Sequence, residues 1–213
     1  MKKNVFRLLL ILILTLCATF FTALTLRANI GTYACWDALS VNVSQLTGLK
    51  VANFSMIMNV ICVLLQILML RKEFKPVRLL QIPFVILFSS LVNFFYYNVL
   101  TFELHNYFIR FVLCIISIIG VSFFLGILTS LNLITLSVET TCSIASGKYS
   151  IDYAVLRIGI DVICIIVSLA LTLIFGLSFA IREGTFIAMV LLGSLEKVFM
   201  NIFQRLSEKA ETL

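Results

Sequence analysis

Long, unbroken apolar runs dominate the chain, separated by short polar or basic stretches. None alternates apolar and polar residues with period two. A membrane-crossing helix needs about twenty consecutive apolar residues, whereas the strands of a membrane barrel alternate over about ten. The runs therefore predict helices over roughly Val5–Arg27, Asn53–Leu70, Leu79–Leu100, Tyr107–Leu131, Tyr153–Phe175 and Thr185–Phe203. The third closes on Phe94-Phe95-Tyr96-Tyr97, an aromatic run of the kind found at a membrane interface. Two stretches break the pattern, Ala28–Val51 and Asn132–Asp152, and each is too polar to span.

Composition agrees. Of 213 residues, 62% are hydrophobic and 12% charged, with a mean hydropathy of +1.14. A soluble domain is about 45–50% apolar and about 25% charged, so this chain lacks the polar material to cover a globular surface. In lipid each backbone polar group is paired within its own segment, which selects helices for these runs.

The net charge of +6 changes the picture only through its placement. Lys2, Lys3, Arg7, the basic cluster 71–78, Lys148, Arg205 and Lys209 fall on one side of a six-span arrangement, and Arg27, Lys50, Arg110 and Arg182 fall near the other. The bias predicts both termini in the cytoplasm. No stripe of interleaved basic and aromatic residues is present, so nucleic acid is not an expected partner; the lipid bilayer is. The apolar stretch of the first run continues to Leu26 without a small-x-small site, so it reads as an uncleaved first helix. The six cysteines are scattered singly and the lone histidine is His105, which predicts neither a metal site nor a cofactor. No HExxH, GxSxG or paired-carboxylate motif appears, and an enzyme is not expected.

The chain matches itself at an offset of 102 to 104 residues. Phe20-Phe21 recurs as Phe123-Phe124, Asn29 as Asn132, Asn59-Val60-Ile61-Cys62 as Asp161-Val162-Ile163-Cys164, and Ser90-Leu91 with Phe95 as Ser194-Leu195 with Phe199. Matches in order along all three helices of each half predict one membrane domain, residues 1–213, built of two halves at about 1–101 and 107–205. Three spans per half is an odd number, so the second half is expected upside down relative to the first. The fold expectation is an all-α, polytopic transmembrane bundle of about six spans, a 3+3 inverted repeat, with two short polar helices in segments 34–48 and 136–147. Those helices either dip back into the membrane or lie flat at its surfaces, and the sequence leaves both open.

Charges inside spans are costly and face a bundle interior or a cavity. Arg157 and Asp161, four apart, share a helix face and are expected to pair. Each polar stretch carries an acid near its start, Asp37 and Glu139. With Asp161, the helix-end residues Asn29 and Asn132 complete the candidate contacts for a solute or ion. Glu196 is expected near an interface, and Lys197, about 100° away around the helix, reaching toward the head groups.

Arg27-Ala28-Asn29-Ile30-Gly31 followed by Trp36-Asp37-Ala38-Leu39 resembles the A-x-x-G-x-x-P-W-D-x-L signature of the bacterial YczE/YyaS/YitT group of integral membrane proteins. Asn59, Gln66, Leu79-Leu80-Gln81-Ile82, and Arg182-Glu183-Gly184-Thr185 with Gly193 are similar as well. Cys35 stands where that group has proline, and Ser194 where Gly-Pro is common. The resemblance implies a multi-pass protein of the bacterial inner membrane, sometimes described as a permease. Two functions follow as expectations: a carrier of a small solute or ion, or a non-transporting accessory of other membrane machinery. A homodimer fits either.

Overall fold

The computed structural model describes residues 2–32, 34–131 and 137–211. They form eight α-helices: α1 Lys2–Ala28, α2 Cys35–Thr47, α3 Val51–Leu70, α4 Gln81–Phe94, α5 Tyr107–Ser130, α6 Ser137–Tyr149, α7 Tyr153–Phe175 and α8 Glu183–Glu211. Six stretches are long and apolar enough to cross a membrane: Leu8–Ala28, Val51–Glu73, Pro76–Val99, Tyr107–Ser130, Val155–Phe175 and Glu183–Arg205. The chain is a multi-pass, all-helical membrane protein, as its apolar runs predict. The span through α4 is composite, opening with a tight turn at Pro76–Leu80 and closing with a π-helical turn at Phe95–Val99. Because successive spans reverse direction, the start of α1 and the end of α8 lie at one end of the bundle, called here the terminal face. The C-terminal end of α1 marks the far face.

Large apolar side chains cover the outer surface, and small polar ones share the interior with an apolar core. Leu8, Ile13, Leu68, Leu173 and Val190 point outward, while Thr15, Thr19, Thr22, Thr25, Ser117 and Ser122 are buried. Lipid satisfies the outward side chains, and the small residues among those inside let backbones approach. Thr15, Thr22 and Thr25 each donate to a carbonyl one turn earlier, at 2.7–3.0 Å, so their hydroxyls need no further partner.

The two central helices, α1 and α5, pack along each other; α4 adds to α1, and α8 adds to α5. Gly126 fixes the second of these contacts, because a Cβ there would lie 2.9 Å from both the Glu196 carbonyl oxygen and Phe199 Cβ. Gly126→Val is therefore expected to lower the stability of the purified protein by about 1–3 kcal/mol, the usual cost of overpacking. Thermal unfolding in detergent measures it; an unchanged transition contradicts so close an approach of α5 and α8.

The segment between α1 and α2 is stitched to the start of α8. Gly184 N donates to the Ile30 carbonyl at 3.0 Å, and Thr32 N donates to Thr185 Oγ1 at 2.9 Å. Gly31 adopts φ +149°, and a Cβ there would sit 2.4 Å from Thr185 N. Only glycine meets both demands.

Helices α2 and α6 do not lie flat. Cys35, the first residue of α2, packs with Cys164 halfway along α7. Gln45, near its other end, donates to Ser178 Oγ at 2.6 Å, beyond the end of α7. In the second half, Thr141 of α6 lies 3.2 Å from the Cys62 carbonyl, halfway along α3. Lys148 donates to the Met69 carbonyl at 2.5 Å, at the end of α3. Each short helix thus runs from mid-bundle outward, α2 to the far face and α6 to the terminal face. A helix lying on a surface would meet its neighbours at one level.

Buried amides fasten both half-length helices to the other half of the chain. Asn42 of α2 lies 2.7 Å from the Ser168 carbonyl and 3.0 Å from Thr172 Oγ1 of α7. Gln66 of α3 lies 3.2 Å from the Ser137 carbonyl and from Thr141 Oγ1 of α6. The packing partners exchange accordingly: α2 meets α3 and α7, and α6 meets α7 and α3. One pairing is one-sided. α3 packs on α4, whereas α7 and α8 make no comparable contact among the described residues.

Candidate functional site

The inner ends of α2 and α6 bring Asp37 and Glu139 to one small internal cavity of about 90 Å³, whose lining also includes Trp36, Ser55, Asn59 and Arg157. Its remaining wall is largely apolar, with Phe84, Val85, Phe88 and Val92 of α4 opposite the acids. Asp37 occupies the first turn of α2, where the positive end of the helix dipole favours a carboxylate. Its Oδ1 accepts from Ser55 Oγ at 2.9 Å, while its Oδ2 is buried with no partner among the described residues. Trp36 Nε1 is likewise buried without a partner. Burial pushes the Asp37 carboxyl up to about 6, with the Ser55 hydrogen bond acting against it. Burial also raises Glu139, and the Arg157 guanidinium opposes that shift.

Glu139 and Arg157 also line a second, larger chamber of about 620 Å³ between α7 and α8. Arg157 Nη1 donates to Asp161 Oδ1 at 2.7 Å, and its Nε lies 3.8 Å from Glu139 Oε1. The guanidinium is thereby shared between two acids and forms part of the partition between the cavities. Glu196 and Lys197 of α8 line the same chamber, and Glu196 Oε1 accepts from Thr129 Oγ1 at 3.1 Å. Both neighbours on the helix thus border this chamber, although they point about 100° apart. Glu139 further lines a cavity of about 500 Å³ on the terminal face, with Arg78, Gln81 and Tyr153. On the far face a vestibule of about 430 Å³ shares Leu26 and Val51 with the inner cavity. The inner cavity is thus flanked by one on each face, with Leu26 and Val51 as shared wall on the far side and Glu139 on the terminal side.

The sequence-derived contacts divide as follows. Asp37 and Glu139 meet at the inner cavity, and Asp161 stands behind Arg157 in the adjoining chamber. Asn29 lies apart from them. It ends α1 at φ 51°, lines the far-face vestibule, and offers its carbonyl to Arg110 and, at 2.8 Å, to Arg182. Asn132 lies outside the described residues. Trp36 stood out in the sequence only as part of the Trp36–Leu39 resemblance, and Ser55 had no signal of its own. Yet the Asp37–Ser55–Asn59 cluster, in which Asn59 donates to the Ser55 carbonyl at 2.8 Å, has a counterpart in Glu139–Arg157–Asp161, each member exactly matched at an offset of 102 residues. That offset was the available clue.

No curated protein and no solved structure matches the chain. A family model described as a family of unknown function (DUF6198) matches residues 5–201. That match covers nearly the whole chain, and the protein belongs to this family.

Proposed function

We propose that the protein is a carrier that binds a small cation or polar solute between Asp37 and Glu139 and passes it between the two faces. The observation that carries this reading is the meeting of two acid-bearing half-helices, one from each face, at a mid-bundle cavity flanked by a further cavity on each side. Charges at membrane depth are costly and mark substrate or ion pathways. Half-helices of this kind are how several carriers build their binding sites. The 3+3 inverted repeat belongs to the same proposal. It is supported by the exchanged packing of α2 and α6 and by the matched clusters around Ser55 and Arg157. Placement in a bacterial inner membrane with cytoplasmic termini, and kinship with the YczE/YyaS/YitT group, rest on the lysine and arginine bias and on the Arg27–Gly31 and Trp36–Leu39 residues.

The test is flux into liposomes containing the purified protein, across a panel of labelled monovalent cations, small amines and protons. Wild type is expected to carry at least one of them. Asp37→Asn and Glu139→Gln are each expected to lower that flux at least tenfold while leaving the protein folded. Absence of flux across the panel, or variants that match wild type, overturns the carrier reading. Stoichiometric capture of one native membrane protein in place of flux would favour the accessory function.

A further inference from the structure

Every wall of the inner cavity bears on what it would hold. Two buried polar atoms lack partners there among the described residues, and they have opposite needs: Asp37 Oδ2 is an acceptor and Trp36 Nε1 a donor. They belong to consecutive residues in the first turn of α2. A buried polar group left unpaired costs more than an ordinary hydrogen bond returns, so each atom calls for a partner. The acid calls for a positive donor, and the indole N–H for an acceptor.

The rest of the lining narrows the class. A bare metal ion wants about six oxygen ligands. Here Phe84, Val85, Phe88 and Val92, with Leu26, Val51 and Ala52, make up much of the wall and offer no side-chain oxygen. Such walls suit a carbon-bearing ligand. A ligand carboxylate would need its own cation, but Arg157 is already held by Asp161 and Glu139. The single neutral donor of Trp36 suits a neutral acceptor such as a hydroxyl. A volume of about 90 Å³ leaves room for a handful of non-hydrogen atoms.

We propose that the inner cavity binds a small amino alcohol, its ammonium group on Asp37 Oδ2 and its hydroxyl accepting from Trp36 Nε1. The proposal rests on the carrier reading only in taking this cavity as the binding site. It is tested without transport, because Trp36 is the single tryptophan of the chain and its emission reports directly on the cavity.

The experiment is a fluorescence titration of the full-length protein in detergent at about pH 7.5 and constant ionic strength, with ethanolamine, propylamine, glycine and sodium chloride as probes. Ethanolamine is expected to shift the Trp36 emission saturably. Propylamine has the same number of non-hydrogen atoms and no acceptor, and is expected to bind at least fivefold more weakly. Glycine, which adds a carboxylate, is expected to leave the spectrum unchanged. Asp37→Asn is expected to weaken ethanolamine at least tenfold, and Asp37→Glu to retain measurable binding.

Equal affinities for ethanolamine and propylamine overturn the role of the indole N–H. A response to sodium alone overturns the organic class while leaving the cavity as a cation site. An emission unchanged by every probe overturns the proposal. Since flux is measured separately in liposomes, transport of a metal ion or proton without ethanolamine binding leaves the carrier reading standing, and binding without flux does the reverse.

Discussion

Arg157→Met is expected to destabilise the protein by about 2–4 kcal/mol, and adding Asp161→Asn is expected to return most of the loss. Removing one partner of a buried ion pair costs about 3–5 kcal/mol, because it strands the other charge away from water. The side chains here are partly exposed, Arg157 at 27%, Glu139 at 38% and Asp161 at 12%, which moves the effect toward and below the low end of that range. Asp161 is the more buried acid and the closer, at 2.7 Å, so neutralising it removes the larger part of the penalty. Glu139 remains ionisable in the double variant, and a residual deficit of about 1 kcal/mol is expected from it. Chemical or thermal unfolding of the purified proteins completes the cycle. Wild-type stability in Arg157→Met refutes the pairing, and a double variant as weak as the single one refutes stranded charge as the cause.

That pair illustrates how far the sequence carries. Arg157 and Asp161 are four apart in an apolar run, and helical geometry alone puts them on one face. The six spans were legible for a similar reason, since length and hydropathy are local properties. What the sequence left open depends on neighbours. The polar and apolar positions of α2 define a face, yet they do not say whether that face meets head groups or α7. The level of Cys35 against Cys164, and of Thr141 against Cys62, decides it. Ser55 is an unremarkable helix residue until Asp37 is beside it. Asn29 read as a helix-end residue and as a contact; the structure has it ending α1, with its carbonyl taken by two arginines. The boundary of the third span shifted because Pro76 opens a tight turn ahead of α4, and hydropathy does not register that turn.

The unequal pairing of the long helices supports the second large prediction, mutually exclusive cross-links at the two faces. In the first half, α3 is closed on α4 near the far face: Asn93 Nδ2 donates to Asn53 Oδ1 at 2.8 Å, its Oδ1 accepts from Ala52 N at 3.1 Å, and Val92 packs with Val51 and Ala52. The corresponding ends of α7 and α8, near the terminal face, instead border the chamber of about 620 Å³. Under the inverted-repeat proposal the halves exchange conformations, so a second state closes α8 on α7 and parts α3 from α4. A binding site between the half-helices would then open to alternate faces. In a background with the six cysteines replaced, Ala52→Cys with Val92→Cys should oxidise readily, since both residues sit in one buried cluster. Ile158→Cys with Met200→Cys, which line the chamber from α7 and α8, should oxidise slowly and faster when transported solute is present. A disulfide requires its Cα atoms within about 7 Å, so each bond holds one state. Forming the first is expected to slow the second at least tenfold, and either is expected to stop flux until reduced. Both bonds forming freely in one molecule, or an α7–α8 bond that leaves flux untouched, would show that the gap between α7 and α8 is a fixed feature of the bundle rather than half of a cycle.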